Sequence, residues 1–137
     1  MTNDIEISHR APDPEEYNVL RVKAGLSPKD LAGAKIGLQN SIFVMTLRNP
    51  DQQLVGMGRV IGDGGCFYQV VDIAVDPDYQ GKGYGKMIMT ELMNYLDTNA
   101  PKDSYVSLIA DVPADGLYKQ YGFEYTAPKS VGMFKRY

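Results

Sequence analysis

The sequence predicts a single α/β domain, residues 1–137, built on a mixed sheet. Three observations predict it. Strand-like and helix-like segments follow one another in the order β-α-α-β-β-β-α-β-α-β-β, which supplies both parallel and antiparallel strand neighbours. The stretch "CFYQVVDIAV", residues 66–75, is almost continuously apolar, the mark of a strand covered on both faces. Directly after it, "DPDYQGKGYGKMIMTELMNYL" passes from a glycine-rich loop into an amphipathic helix.

The elements can be justified in order. "IEIS", Ile5 to Ser8, alternates like a short strand. The Asp-Pro-Glu-Glu opening of "DPEEYNVLRVKAGL" places acids in the first turn of a helix that carries Tyr17, Leu20, Val22 and Ala24. A second helix is expected from "SPKDLAGAKIGL", with Ser27 as N-cap and Pro28 at the first helical position. "SIFVMTLRNPDQQLVGMGRVIG" reads as two strands around a turn at Asn49, Pro50 and Asp51. The helix running to Leu96 gathers Gly85, Ile88, Met89, Leu92, Met93, Tyr95 and Leu96 within an arc of about 160°. Its methionines therefore read as core packing. "SYVSLIA", Ser104 to Ala110, is a further strand, followed by a helix from Pro113 that ends at Gly122. "FEYTA" and "VGMFKRY" are expected to close the chain as two more strands.

Composition removes several classes of function. A hydrophobic fraction of 44% and a charged fraction of 23% are those of a globular domain with a substantial core. A formal net charge of −3 argues against general nucleic-acid binding, which needs a basic surface. No run approaches the roughly 18 apolar residues of a membrane span, and the polar, acidic start has no apolar signal core. The expected location is the cytoplasm, with no membrane partner. The single cysteine, Cys66, lacks an internal disulfide partner and falls in a strand-like segment, where a buried thiol is expected. The one histidine, His9, follows the first strand and reads as a surface residue, so no metal cluster is expected.

The glycine loop is the most informative stretch. A strand, a glycine turn and the first turn of a helix gather unpaired N–H groups around one hollow, and the helix dipole favours an anion there. Removal of Cβ atoms at Gly81, Gly83 and Gly85 allows a phosphate to approach closely, and Lys82 and Lys86 add positive charge. The spacing matches neither the nucleotide P-loop nor the dinucleotide pattern Gly-x-Gly-x-x-Gly, because position 88 is Ile88.

Gln80-x-x-Gly83-x-Gly85 instead resembles the acetyl-CoA signature of the GCN5-related N-acetyltransferase (GNAT) family, and "LYKQYGF", residues 117–123, resembles that family's second signature. The element order fits the family across nearly the whole chain. The resemblance implies an acyl-CoA N-acyltransferase fold, with a mixed central sheet flanked by helices on both faces. It implies acetyl-CoA as cosubstrate, without a metal. The main chain of Ile73, Ala74 and Val75 would hold the pantetheine arm, and Gln80, Gly81, Lys82, Gly83, Tyr84, Gly85 and Lys86 would surround the pyrophosphate. Tyr118 matches the family's tyrosine, whose phenol can protonate the leaving thiolate.

Asp72, a charge inside "VVDIAV", is the first candidate for the base; its rival reading is a structural carboxylate bonded to backbone or to Arg59. Asp111 stands where many members carry asparagine, and helix capping is its simplest role. Arg21 and Asn40 are the candidate substrate contacts. The expected acceptor is a small primary amine, with a protein or peptide amine, or a non-catalytic CoA-binding module, as alternatives. An acidic chain favours a cationic acceptor. The resemblance leaves a homodimer open.

Overall fold

The computed structural model describes residues 4–137. Five strands form one sheet in the order β1 (Glu6–Ser8), β2 (Phe43–Arg48), β3 (Leu54–Gly62), β4 (Phe67–Val75) and β5 (Tyr105–Ser107). The first four pair antiparallel and β5 runs parallel to β4, so the sheet is mixed as expected.

Helices cover both faces. On one side, α1 (Pro14–Lys23) and α2 (Leu31–Gln39) bury Tyr17, Leu20, Ala34 and Leu38 against Leu54, Met57 and Ala74. On the other, α3 (Tyr84–Asn99) packs Ile88, Met89, Leu92 and Leu96 against Met45, Leu47, Val55 and Val60. The apolar arc read from the helical period is the face that is buried, and Met89 lies in the core. Gly58 of β3 permits the close approach: a Cβ there would lie 2.6 Å from Ile88 Cγ2 and 2.9 Å from Ile73 Cδ1.

Helix α1 starts as its sequence suggests, with Pro14 in the first turn and the Asp13 amide donating to Glu16 Oε2 at 2.9 Å. Helix α2 starts later than Ser27 and Pro28. Its N-cap is Asp30, whose Oδ2 accepts from the Gly33 amide at 2.8 Å. The delay has a tertiary cause. The Lys29 amide donates to Asn18 Oδ1 at 2.8 Å and the Lys29 carbonyl accepts from Asn18 Nδ2 at 2.7 Å, so that residue is tied to α1 and left out of the helical ladder.

Cys66 is a correction. Strand β4 begins one residue later, and Cys66 is exposed in the preceding turn. Asp63 builds that turn: its Oδ1 accepts from the amides of Gly65, Cys66 and Phe67 at 2.9, 2.8 and 3.1 Å, and those bonds hold its carboxyl at about 2. His9 is exposed, as read.

The chain after residue 107 departs most from expectation. The strand read over 104–110 pairs only at Tyr105–Ser107, and the following helix is confined to α4 (Asp115–Lys119). "FEYTA" and "VGMFKRY" form no strand. An alternating pattern makes a strand only where a neighbour offers a free edge of matching length, and β5 is three residues long. Val131, Met133 and Phe134 are accordingly exposed. No helix among the described residues is long and apolar enough to cross a membrane.

Candidate functional site

The site begins where β4 and β5 part. Their parallel pairing covers Phe67↔Tyr105, Tyr68↔Val106 and Gln69↔Ser107 and then stops, while β4 runs on to Val75. A bulge bends β4 at the same place. The register passes from Met57↔Ala74 to Arg59↔Val71, so Asp72 and Ile73 both stand opposite Gly58, and Asp72 takes a φ of 59°. The open side of β4 lines a cavity of about 500 Å³ with Leu108, Ile109 and Asp111 across from it.

At the far end of β4 lies the glycine loop. A 3₁₀ turn, Pro77–Tyr79, leads into it, and Gln80 Nε2 donates to the Val75 carbonyl at 2.9 Å, fixing the corner between strand and loop. Gly81 and Gly83 have φ of 78° and 86°, and Gly83 is the N-cap of α3. Most residues with a Cβ are strained in that conformation. The amides of residues 81–86 have no backbone acceptor among the described residues, and Gly83 offers no side-chain cap. An ideal Cβ on Gly81 or Gly83 would meet nothing within 4 Å, so within the described residues it is the positive φ and not crowding that calls for glycine. Lys82 Nζ lies 5.5 Å from the Tyr79 ring centre, and Lys86 is exposed. Tyr84 is half-buried and packs against the α3 core rather than lying free on the surface. The donor set fits a phosphate-bearing group such as a coenzyme pyrophosphate.

Tyr118, on α4, lines the same cavity as Asp72 and Ile73. Its hydroxyl has no hydrogen-bond partner among the described residues. Burial, and secondarily the charge of Asp111, push its pKa above the ordinary value of 10.0, so it carries its proton at neutral pH. Asp111 does not cap a helix; α4 has Ala114 at its N-cap. Tyr121 serves to hold the segment in place: its hydroxyl donates to the Lys86 carbonyl at 2.9 Å and meets Thr90 Oγ1 at 2.9 Å.

The opposite wall carries a buried polar cluster. Asp72 Oδ2 accepts from Tyr17 Oη and from Arg59 Nε, both at 2.8 Å, and its Oδ1 accepts from Arg21 Nη1. The side chains of Asp72, Arg21 and Arg59 are 6%, 9% and 11% exposed. Both carboxylate oxygens are thus engaged by three donors, two of them cationic. Asp72 holds two arginines in place and is not free to reach an incoming amine; of its two sequence readings, the geometry supports the structural one. Burial, followed by the charge of Asp72, raises the Tyr17 pKa and keeps the phenol a donor. Arg21 lines the cavity. Asn40 does not line it. Its Nδ2 donates to the Ile36 carbonyl at 2.8 Å, so it closes α2.

Sequence reasoning missed Tyr17 as a member of this cluster, because a tyrosine on an amphipathic helix also reads as core. Its partner is 55 positions away.

Residues 39–125 match the model of the acetyltransferase (GNAT) domain. The chain is 30% identical over 122 residues to the uncharacterized N-acetyltransferase ycf52 of Pyropia yezoensis, covering 87% of this chain and 69% of the relative. It is 29% identical over 133 residues to histone acetyltransferase TAP1 of Glycine max, where the match covers 89% of this chain but 56% of that protein. Among solved structures, a protein of unknown function from meticillin-resistant Staphylococcus aureus superposes with a TM-score of 0.93 at 47% identity, covering 98% of this chain and all of that one. The fold is shared with the GNAT enzyme YhbS of Escherichia coli, solved in complex with CoA, at a TM-score of 0.68 and 20% identity over 93% of this chain and 72% of that one. The chain belongs to the GNAT family of acetyltransferases. It is an acetyl-CoA-dependent enzyme of that class.

Proposed function

We propose that this protein transfers the acetyl group of acetyl-CoA to the primary amine of a small molecule by direct attack on the thioester. The observation that carries the reading is the run of unpaired amides over residues 81–86, set at the N-terminus of a 16-residue helix and joined by the open edge of β4 to the cavity that Tyr118 lines. Gln80, Gly81, Lys82, Gly83, Tyr84, Gly85 and Lys86 form the pyrophosphate side of the site, with Gln80 acting through its bond to Val75. The main chain of Ile73, Ala74 and Val75 offers a strand edge to the pantetheine arm. The bound cosubstrate supplies an activated acyl carbon. Attack by the neutral amine forms the amide bond and breaks the carbon–sulfur bond; the departing thiolate takes its proton from the Tyr118 hydroxyl, and the proton released by the attacking nitrogen passes through solvent and restores the phenol.

One relative carries the name of a histone acetyltransferase, which speaks for a protein amine. A small acceptor suits this chain better, because the arginine pair is largely buried in the wall of a cavity of about 500 Å³. Calorimetry with acetyl-CoA tests the cosubstrate, and saturable binding near one equivalent is expected. A panel of small amines and peptides, followed by release of free thiol, tests the acceptor. Turnover of peptides with none of small amines would reverse the assignment.

A further inference from the structure

The wall formed by Tyr17, Arg21, Leu26, Lys29, Arg59 and Asp72 is unbalanced in charge. Arg21 and Arg59 are buried there, and Asp72 is the one carboxylate between them. It neutralises one guanidinium and leaves the other as a surplus buried cation, which is costly without a counter-charge. Lys29 adds positive charge at the exposed rim. The other acid on the cavity, Asp111, belongs to the opposite wall beside Tyr118.

The donor count points the same way. Arg21 directs Nε to the Ser27 carbonyl at 2.7 Å and Nη1 to Asp72. Arg59 directs Nε to Asp72 at 2.8 Å, and Nη1 to the Gly37 carbonyl at 3.1 Å and Ser41 Oγ at 2.8 Å. Nη2 of each has no acceptor among the described residues. Neither is sealed away, since no buried side-chain nitrogen there lacks a partner. Two fixed guanidinium ends, with unspent N–H groups and one surplus positive charge, match a planar monoanion that can accept two bonds at once.

We propose that the acceptor amine carries a carboxylate, as an amino acid does, and that Arg21 and Arg59 bind that carboxylate while the amine points along the cleft toward Tyr118. The assignment rests on the acetyl-transfer reading above and narrows its substrate class. It reverses the expectation from net charge: the chain is acidic as a whole, yet the acceptor wall is cationic.

The test compares, at saturating acetyl-CoA, amino acids with three counterparts of the same side chain: the carboxamide, the decarboxylated amine and the aminophosphonate. The expected kcat/KM for the best carboxylate exceeds that of its carboxamide and amine by about tenfold or more, the worth of one charge-assisted contact. In Arg21→Gln and in Arg59→Gln this ratio falls toward one. The ratio is taken within one protein, so a general loss of folded enzyme cancels from it, and a purely structural arginine would leave it unchanged. Equal or reversed preference in the unaltered protein overturns the proposal, as does a preference for the phosphonate or a ratio that survives both substitutions. In each of these cases calorimetric binding of acetyl-CoA remains intact. Absence of acetyl-CoA binding would instead remove the acetyl-transfer reading, and this proposal with it.

Discussion

Residues 5–96 and residues 97–137 are built by different means. Every buried residue among those described lies at or before Leu96, and none follows it. The first region has three long strands, β2 to β4, with the three-residue β1 at the edge and a helix layer on each face. The second has a three-residue strand and a five-residue helix, and its Val106, Leu117, Tyr118, Tyr121 and Phe123 are only partly buried against the α3 core, with Tyr121 also bonded to Lys86 and Thr90. The site draws on both. The glycine loop and the arginine cluster stand on the packed frame, whereas Tyr118 is carried by the lightly packed part. The glycine loop and the arginine cluster thus rest on buried supports, and the group assigned to proton delivery sits on a part that is only partly buried.

The contrast can be broken most directly at Tyr118. Tyr118→Phe is expected to lower kcat by about 10²–10⁴-fold, the usual span for loss of a positioned acid, with little change in Tm. Steady-state kinetics and a thermal melt on the same sample decide it; a collapsed Tm would show that the second region bears more of the fold than its burial suggests. Next in size is Leu92→Ala, which empties a fully buried position of α3 and should cost about 2–5 kcal/mol in denaturant titration. Phe123→Ala, half-buried in the second region, should cost clearly less. Equal costs would erase the distinction between the two regions.

Tyr121→Phe sharpens the comparison at the seam. It removes the hydroxyl bonded to Lys86 and Thr90, and should cost about 0.5–1.5 kcal/mol, with kcat falling because α4 is less firmly seated. The smallest effects concern titration. Tyr17 and Tyr118 have folded pKa values raised above 10.0, chiefly by burial. Their contribution to stability is therefore complete below pH 10 and declines as pH rises toward the folded values. The denaturant midpoint should hold steady from pH 8 to 10 and fall above it, and Tyr17→Phe should reduce that slope. Glu16 titrates in the opposite sense. Its pKa lies below 4.5, principally through the hydrogen bonds from Arg48, at 2.8 and 2.7 Å. The stability it contributes is present above pH 4.5 and lost as pH falls through the folded value, and Glu16→Gln should cost at most about 1 kcal/mol because the pair is partly exposed.

Local sequence determined the frame and the donor side of the site. The helical period over residues 84–96 specifies which face of α3 is buried. The glycines at 81 and 83 specify a backbone with positive φ that leaves amides free, and "LYKQYGF" places a tyrosine on a short helix. These features depend on neighbours within a few positions, so their signals are written side by side in the chain. Tertiary structure decided the polar cluster on the opposite wall of the cavity. Asp72 reads equally as base or buttress until Tyr17, Arg21 and Arg59 are found around it, from 55, 51 and 13 positions away. The late start of α2 depends on Asn18 in another helix, and the failure of the last two apolar stretches to become strands depends on the edge available beside them. A residue's pattern states what it can bury or bond. Which charge it meets is set by the packing of distant segments, and at this site that meeting leaves a surplus cation on the cavity wall.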